Sequence, residues 1–367
     1  MKISFVSFDF GEYCVRNVNA LAAQPDVEVQ LLIPESQVAD VPLELHDCVE
    51  PHFFQRPRFR QPLRQLALLR HLLSKIDGFA PDVVHFQGGH LWFNFVLKSL
   101  RKYPLVLTVH NPVHHVGDVS SRRTPQWVMN LGYRQALEII VHGQVLVDQL
   151  VSKLGIPREV IHVVPHVAMG GRRPESVSQS SNRILFFGRI WRYKGLEYLI
   201  RAQPKITDAF PDAKIVVAGV GEAFERYESL MQNKDAFETH IYKVSDNLRE
   251  QLFADAAVIV LPYIAATQSG VVPIAFNHSK PVVATDVGAL SEIVHDDETG
   301  ILIPPGDSDA VADAVIRLLG DPGLRERLGA AGKRMLNEKC SEQVVSQRHL
   351  DVYKSAIARH RRPKEAV

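Results

Sequence analysis

Arg189 and Lys194 stand five residues apart, just after an apolar run of strand length. The run is Ile184-Leu185-Phe186-Phe187, followed by Gly188-Arg189-Ile190-Trp191-Arg192-Tyr193-Lys194-Gly195, and a helical pattern (Leu196, Leu199, Ile200) takes over. A guanidinium offers phosphate oxygens a planar fork, and an ammonium offers a point charge. Glycine lets backbone approach, and a helix start adds partial positive charge. The chemistry this spacing suits is anion binding. The glycine spacing and the Lys-Ser/Thr ending of a Walker A loop are missing. Taken alone, the segment reads as well as a strand-to-helix connection with solvated cations.

Three further places could bind or react. Phe8-Asp9-Phe10-Gly11 follows the first strand-like run, and Gly11 at that turn admits a phosphate or sugar, or simply makes a tight turn. His110 ends Leu107-Thr108-Val109-His110, where a strand would carry it to a sheet edge for hydrogen bonding or proton transfer. His85, His90, His114 and His115 have weaker claims, and the pair His114-His115 lacks further ligands, so no metal is expected there. Thr267-Gln268-Ser269-Gly270-Val271 should turn backbone N–H groups outward at a helix start, fit for a diphosphate. Gly219-Val220-Gly221 is a common strand-to-helix turn whose interest is its place on the same edge as Arg189.

The elements that must position these residues alternate along the whole chain. Strand-length apolar runs fall at 2–8, 28–33, 82–86, 105–109, 138–142 and 160–164, and again at 183–187, 214–218, 239–242, 257–261, 281–284 and 300–303, with helical patterns between them. Near-continuous apolar strands separated by helices imply parallel sheets covered on both faces, whose ligands lie beyond the carboxyl ends of the strands. The stretch 168–183, rich in glycine, proline and serine, reads as a linker. Two α/β domains are expected, 1–170 and 171–340, facing across a cleft, with a last helix over 341–360 and a frayed tail from His360 to Lys364. Two helices broken at Gly320-Asp321-Pro322-Gly323 precede that last helix.

The chain has 367 residues and a formal net charge of +1, which argues against a general nucleic-acid-binding surface. Its three cysteines are scattered, so a reducing compartment fits and a zinc site does not. The strand-like Ile3-Ser4-Phe5-Val6 follows Met1-Lys2 directly, and no apolar run is long enough to span a bilayer. A cytoplasmic protein is expected.

The order Gly188-Arg189…Lys194-Gly195, Gly219-x-Gly221, Pro262-Tyr263…Ser269-Gly270, Lys280-Pro281-Val282-Val283-Ala284-Thr285-Asp286-Val287-Gly288, Glu292-Ile293-Val294 and Thr299-Gly300…Pro304-Pro305-Gly306-Asp307 resembles glycosyltransferase family 4. These are retaining, nucleotide-sugar-dependent enzymes of the GT-B fold, built from two doubly wound Rossmann-like domains. The likeness is specific from about 160 to 335 and looser before that. It implies that Arg189 and Lys194 neutralise the donor diphosphate, with Gly188, Gln268, Ser269, Gly270 and Val271 around it. By the same resemblance Val244, in Tyr242-Lys243-Val244-Ser245-Asp246, borders the base. Gly11 and His110 would face the donor sugar, and the final helix would pack on the first domain. It also implies no cofactor and no metal, a glycan or lipid-linked acceptor, and work in polysaccharide or glycoconjugate assembly. The family's pair of glutamates, one for the sugar and one for the ribose, falls here at Ala266 (or Ala265) and Ile274, neither of them acidic. That departure keeps open a non-catalytic protein of the same fold that binds a sugar nucleotide or glycan as a partner subunit.

Residues 52–76 form a separate feature. Arg56, Arg58, Arg60, Arg64, Arg70 and Lys75 occur there with no acidic residue, among Phe53, Phe54, Phe59 and a helical stripe of Leu66, Leu69, Leu72, Leu73 and Ile76. The stripe suits either a core-facing helix with solvated arginines or contact with an anionic membrane surface or lipid-diphosphate acceptor.

Overall fold

The computed structural model describes residues 1–39, 41, 44–114, 124–171 and 182–362. His115, most of the expected linker and the tail from Pro363 lie outside the described residues. The chain forms two compact units. One holds the described residues up to 114, those of 124–167, and the C-terminal segment from Ser341; the other holds those from Ala168 to Cys340.

The first unit is built on seven parallel strands: β1 (Lys2–Ser7), β2 (Glu28–Pro34), β3 (Val49–Phe54), β4 (Val83–Gln87), β5 (Leu105–Thr108), β6 (Glu138–Val141) and β7 (Ile161–Val163). Their order across the sheet is β3-β2-β1-β4-β5-β6-β7. One face packs Val6, Phe86, Leu107 and Ile139 against Leu69, Leu72 and Ile76 of the helix Pro62–Phe79. On the other face His85 of β4 sits between Thr108 and Tyr353 of the helix Glu342–Arg361, each at 2.7 Å. That helix is further tied to Gly11–Ala22 by Arg16–Glu342 at 3.3 Å, and to the turn after it by Gln24–Ser346 at 3.1 Å.

The second unit holds β8 (Arg183–Phe187), β9 (Lys214–Ala218), β10 (Phe237–His240), β11 (Val258–Leu261), β12 (Val282–Thr285) and β13 (Gly300–Ile303), parallel, in the order β10-β9-β8-β11-β12-β13. Ile184, Phe186, Val217 and Val260 face the helices Leu196–Ala209 and Ser308–Gly320. Leu185, Val216, Ile259 and Leu261 face Val271–Asn277 and Pro322–Cys340. Alternate strand residues thus feed two cores, which is why the strands read as unbroken apolar runs. Each sheet reverses its strand order once, between β1 and β4 and between β8 and β11, and such reversals open a crevice at the carboxyl ends. Among the described residues, no helix is long and apolar enough to cross a membrane.

The structure adds β3, which the sequence reading passes over. Its Val49-Glu50-Pro51-His52-Phe53-Phe54 carries a proline and exposes Glu50, Pro51 and Phe53. Proline is tolerated because β3 is an edge strand, where a missing N–H breaks no ladder. The alternatives for 52–76 are also resolved in part. The stripe Leu69, Leu72 and Ile76 is core, while Leu63 and Leu66 on the same helix remain exposed.

Candidate functional site

The carboxyl edge of the second sheet is held together backbone to backbone. Past β8 and β9 the chain continues as a narrow parallel pair: Ile190 N–H donates to Val220 O at 2.8 Å, and Glu222 N–H to Ile190 O at 2.9 Å. A Cβ on Gly219, whose φ is +145°, would lie 1.7 Å from the Gly188 carbonyl oxygen. The Gly219-x-Gly221 pair is therefore required by loop packing, whatever it binds. On the other side of β8, a Cβ on Gly195 would lie 1.9 Å from Pro262 O, and Ile264 N–H donates to Tyr193 O at 2.8 Å. The loops after β9, β8 and β11 thus lock side by side across the reversal point.

Into that frame the second unit brings most of its expected residues. Arg189 is exposed just beyond β8, and Lys194 is half-buried at the end of a short turn, Arg192–Lys194. The Lys194 ammonium sits 3.6 Å from the centre of the Tyr263 ring. Burial, and after it the nearby Arg189 charge, push the Lys194 pKa well below the ordinary lysine range. A second positive charge nearby disfavours the protonated form of a lysine, which is the effect Arg189 has on Lys194.

Tyr263 is the residue that sequence reasoning missed. It is fully buried, its carbonyl accepts a 2.6 Å hydrogen bond from Thr285 Oγ1, and its hydroxyl lies 3.3 Å from Ser269 Oγ. Ser269 Oγ in turn accepts from Val271 N–H at 3.3 Å, at the start of the helix Val271–Asn277. One aromatic side chain thereby contacts both Lys194 and the Ser269-Gly270 turn. The proline-aromatic pair after β11 was a visible signal, but nothing in the sequence says which side chains meet the ring.

Gly188, with φ +120°, faces Val271: a Cβ there would stand 3.7 Å from Val271 Cγ2. Gln268, Gly270 and Val271 are half-buried beside it. Val244 packs its partly buried side chain on the second core, ahead of Ser245, whose hydroxyl caps the helix Asp246–Asp255. Ile274 is 3 % exposed within that same apolar core, so the position matching a family glutamate is packed with hydrocarbon.

The first unit's edge is made of side chains instead. The expected role of Gly11 changes here: a Cβ on it would lie 1.7 Å from Gln37 O, so its missing side chain makes room for backbone of its own unit. The left-handed residue of that turn is Phe10, at φ +65° and 43 % exposed. Its ring lies 4.2 Å from that of His110, which is buried rather than presented at the surface. His110 Nε2 meets Gln87 Nε2 at 2.5 Å and Nδ1 has no partner among the described residues. If the Gln87 amide donates, Nδ1 carries the proton and is a spare donor, a tautomer assigned from the network. Burial first, then neighbouring His142, His166 and His85, hold this imidazole neutral by pushing its pKa well below the usual range. Proton shuttling through an imidazolium at His110 is disfavoured, and hydrogen bonding remains.

Tyr13, His142 and His166 complete the cluster. Tyr13 O–H donates to His142 Nε2 at 3.4 Å, since His142 Nδ1–H donates to Val164 O at 2.9 Å. Burial lowers His142 to about 3 and His166 to about 4. His90 stacks on Phe8 at 3.9 Å and is lowered to about 3 by burial and by Arg56. His85 is a core residue, and His114 Nε2 donates to Thr124 O at 2.9 Å. Among the described residues, no three His, Cys, Asp or Glu side chains are placed to hold a metal.

Comparison with known proteins places this architecture. Residues 11–167 match the family model "Glycosyltransferase Family 4", and residues 181–321 match "Glycosyl transferases group 1". An uncharacterized glycosyltransferase of Methanocaldococcus jannaschii is 28 % identical over 299 residues, 75 % of this chain and 76 % of that protein. Sucrose-phosphate synthase from Thermosynechococcus elongatus superposes with a TM-score of 0.78 at 18 % identity, covering 98 % of this chain and all of that one. Anabaena Alr3699/HepE in complex with UDP-glucose superposes with a TM-score of 0.71 at 17 % identity, over 97 % of this chain and 100 % of that one. The two structures share the fold, the two family matches span most of the sequence, and the chain belongs to the family-4-like glycosyltransferases.

Proposed function

We propose that this glycosyltransferase takes a nucleotide-diphosphate sugar as donor and passes the sugar, with retention, to a glycan or lipid-linked acceptor in polysaccharide or glycoconjugate assembly. The observation that carries the reading is the Lys194 ammonium, held over the Tyr263 ring beside Arg189 at the strand-order reversal of the second sheet. As the glycosidic bond to the diphosphate breaks, negative charge grows on the leaving phosphate. Preorganised cations stabilise that charge most where water is scarce. Arg189 offers its fork, Lys194 its point charge, and N–H groups near Gly270 add backbone donors.

The reading assigns phosphate neutralisation to the protein's own cations, with no metal. The HepE complex, which holds UDP-glucose in the same fold, supports the donor class. His110, neutral and with a spare Nδ1, is suited to hydrogen-bond a sugar hydroxyl. Because Ile274 lies in the core, ribose contacts fall to Gln268, Ser269 or backbone beside Gly270. The three cysteines are free and the donor class is made inside cells, so the working compartment of this reading is the cytoplasm.

A thermal-shift panel of UDP, GDP, ADP and their sugars tests the donor, because a ligand that binds only the folded state raises apparent stability. One base should stand out, and the shift should survive EDTA. No response to any nucleotide in the wild type would remove the donor reading.

A further inference from the structure

The β3 edge of the first unit holds a cleft of about 600 Å³ lined by Gln55, Arg56, Pro57, Arg58, Gln61 and Arg64. The residues come from the end of β3, the loop after it and the first turn of the helix Pro62–Phe79. Three guanidinium groups in one concavity repel each other unless an anion joins them. Arg56 has a partial counterion, donating to Asp9 Oδ1 at 3.0 Å and to Phe8 O at 3.2 Å. Arg58 and Arg64 have no carboxylate partner among the described residues. The first turn of the helix carries no acidic residue, and its N-terminus adds positive potential toward the same loop.

The loop is also fixed before any ligand arrives. Gln61 Oε1 accepts from Arg58 N–H at 3.2 Å, and Gln61 N–H donates to Arg58 O at 3.0 Å. The buried Gln65 amide donates to Pro57 O at 3.0 Å. Arg56 lies over the Phe59 ring at 5.6 Å, and Phe59 stacks on His90 at 5.6 Å. A preformed, polar concavity with two guanidinium groups lacking a carboxylate partner, and a third shared with Asp9, fits a compact anion better than a flat surface of headgroups. The stripe that could enter a membrane is mostly turned inward, since Leu69, Leu72 and Ile76 are core.

We infer that this cleft binds a phosphate group, and that the acceptor of this transferase is phosphorylated. The second clause rests on the transferase reading above; the first does not. The cleft belongs to the first unit, whereas Arg189 and Lys194 belong to the second, so the two anion sites are separable by mutation.

The test is calorimetric titration of the full chain with inorganic phosphate at low salt. It compares wild type with the Arg58→Ala/Arg64→Ala and Arg189→Ala/Lys194→Ala double variants. Arg58 and Arg64 are exposed, so unchanged melting temperatures should show that the first variant is folded. The cleft predicts phosphate affinity at least about tenfold weaker in that variant, and a phosphate-binding component that survives in the other. If phosphate binding is lost only with Arg189 and Lys194, the cleft proposal falls and the donor site stands. If wild type binds no phosphate yet binds phosphatidylcholine vesicles doped with phosphatidylglycerol, the site is a membrane surface and the proposal is overturned. Where phosphate does bind at the cleft, its displacement by phosphatidic-acid vesicles identifies a lipid headgroup as the source. Failure of the vesicles to displace it identifies a soluble phosphate ester.

Discussion

The two units repeat one sheet topology and finish its functional edge with different materials. In the second unit the strand-end loops touch through bare backbone, at Gly219 against Gly188 and at Gly195 against Pro262, and the chemistry rests on cations. In the first, aromatic and imidazole side chains fill the edge: Phe10 on His110, Tyr13 on His166, Phe8 on His90. Backbone locks leave little freedom to vary, which suits a ligand part that never changes, such as a diphosphate. A side-chain wall can be recut one residue at a time, which suits a part that differs from enzyme to enzyme. The comparison yields four ways to be shown wrong.

The largest effect should come from acid. His90 and His142 are lowered to about 3 and His166 to about 4, all mainly by burial. Unfolded, each would titrate near the ordinary histidine value of about 6.5. The unfolded chain therefore takes up protons first as pH falls. Stability contributed by these neutral rings is complete above about pH 6.5 and is lost downward toward the folded values. At pH 5 the loss should be roughly 1–2 kcal/mol for each ring that stays neutral. Hydrogen exchange at pH 7 and pH 5 should show amides of β4 to β7 losing protection before those of β8 to β12. Equal loss in both sheets would mean that the side-chain edge is no weaker in acid than the backbone edge.

Next is the cation pair. Lys194→Ala should reduce turnover by roughly 10²–10³-fold, the usual cost of one preorganised group at a developing charge. Because Arg189 helps depress the Lys194 pKa, Arg189→Ala should also move the alkaline fall in nucleotide affinity to higher pH. The sign follows from linkage: binding needs the ammonium, so affinity is full below the free lysine's pKa and declines above it. A pH profile of nucleotide affinity identical in wild type and Arg189→Ala would separate the two cations and undo the pairing.

Gly219→Ala tests the backbone lock itself. The new Cβ meets the Gly188 carbonyl, in a backbone conformation that L side chains avoid, and the structure has only backbone to move. A cost of about 3 kcal/mol is expected in urea unfolding. A loss under about 0.5 kcal/mol, the range of an ordinary surface change, would show the loops to be pliant.

How much of this was legible beforehand follows the same divide. The long apolar strands announced themselves, because both faces of each sheet are covered and hydrophobicity does not alternate. The strand β3 did not, because Pro51 and its exposed neighbours at a sheet edge look like a loop. Arg189 and Lys194 stood out as charges after a strand. Tyr263 did not, since its importance lies in contacts with residues far away in sequence, Lys194 and Thr285. The Gly219-x-Gly221 pattern was visible, but the packing that demands it is tertiary. The turn after β1 misleads in an instructive way: glycine sits at 11, while the left-handed conformation sits one residue earlier, on Phe10.

That displaced strain sets the smallest prediction. A phenylalanine at φ +65° carries a conformational cost of order 1 kcal/mol or more that glycine would not bear. Against this, the ring covers His110 and lies near Gly88, where a Cβ would stand 3.7 Å from Phe10 Cε2. Ring contact of this kind is worth about 0.5–1.5 kcal/mol, and glycine also loosens the unfolded chain by roughly 0.5–1 kcal/mol. The terms nearly cancel, so Phe10→Gly should change unfolding free energy by less than about 1 kcal/mol in either direction. If the strained ring is kept for a ligand, the same variant should raise the KM of the donor, whose sugar His110 is expected to face, while leaving the acceptor KM as it was. Unchanged values for both substrates would make Phe10 a lid over His110 and nothing more.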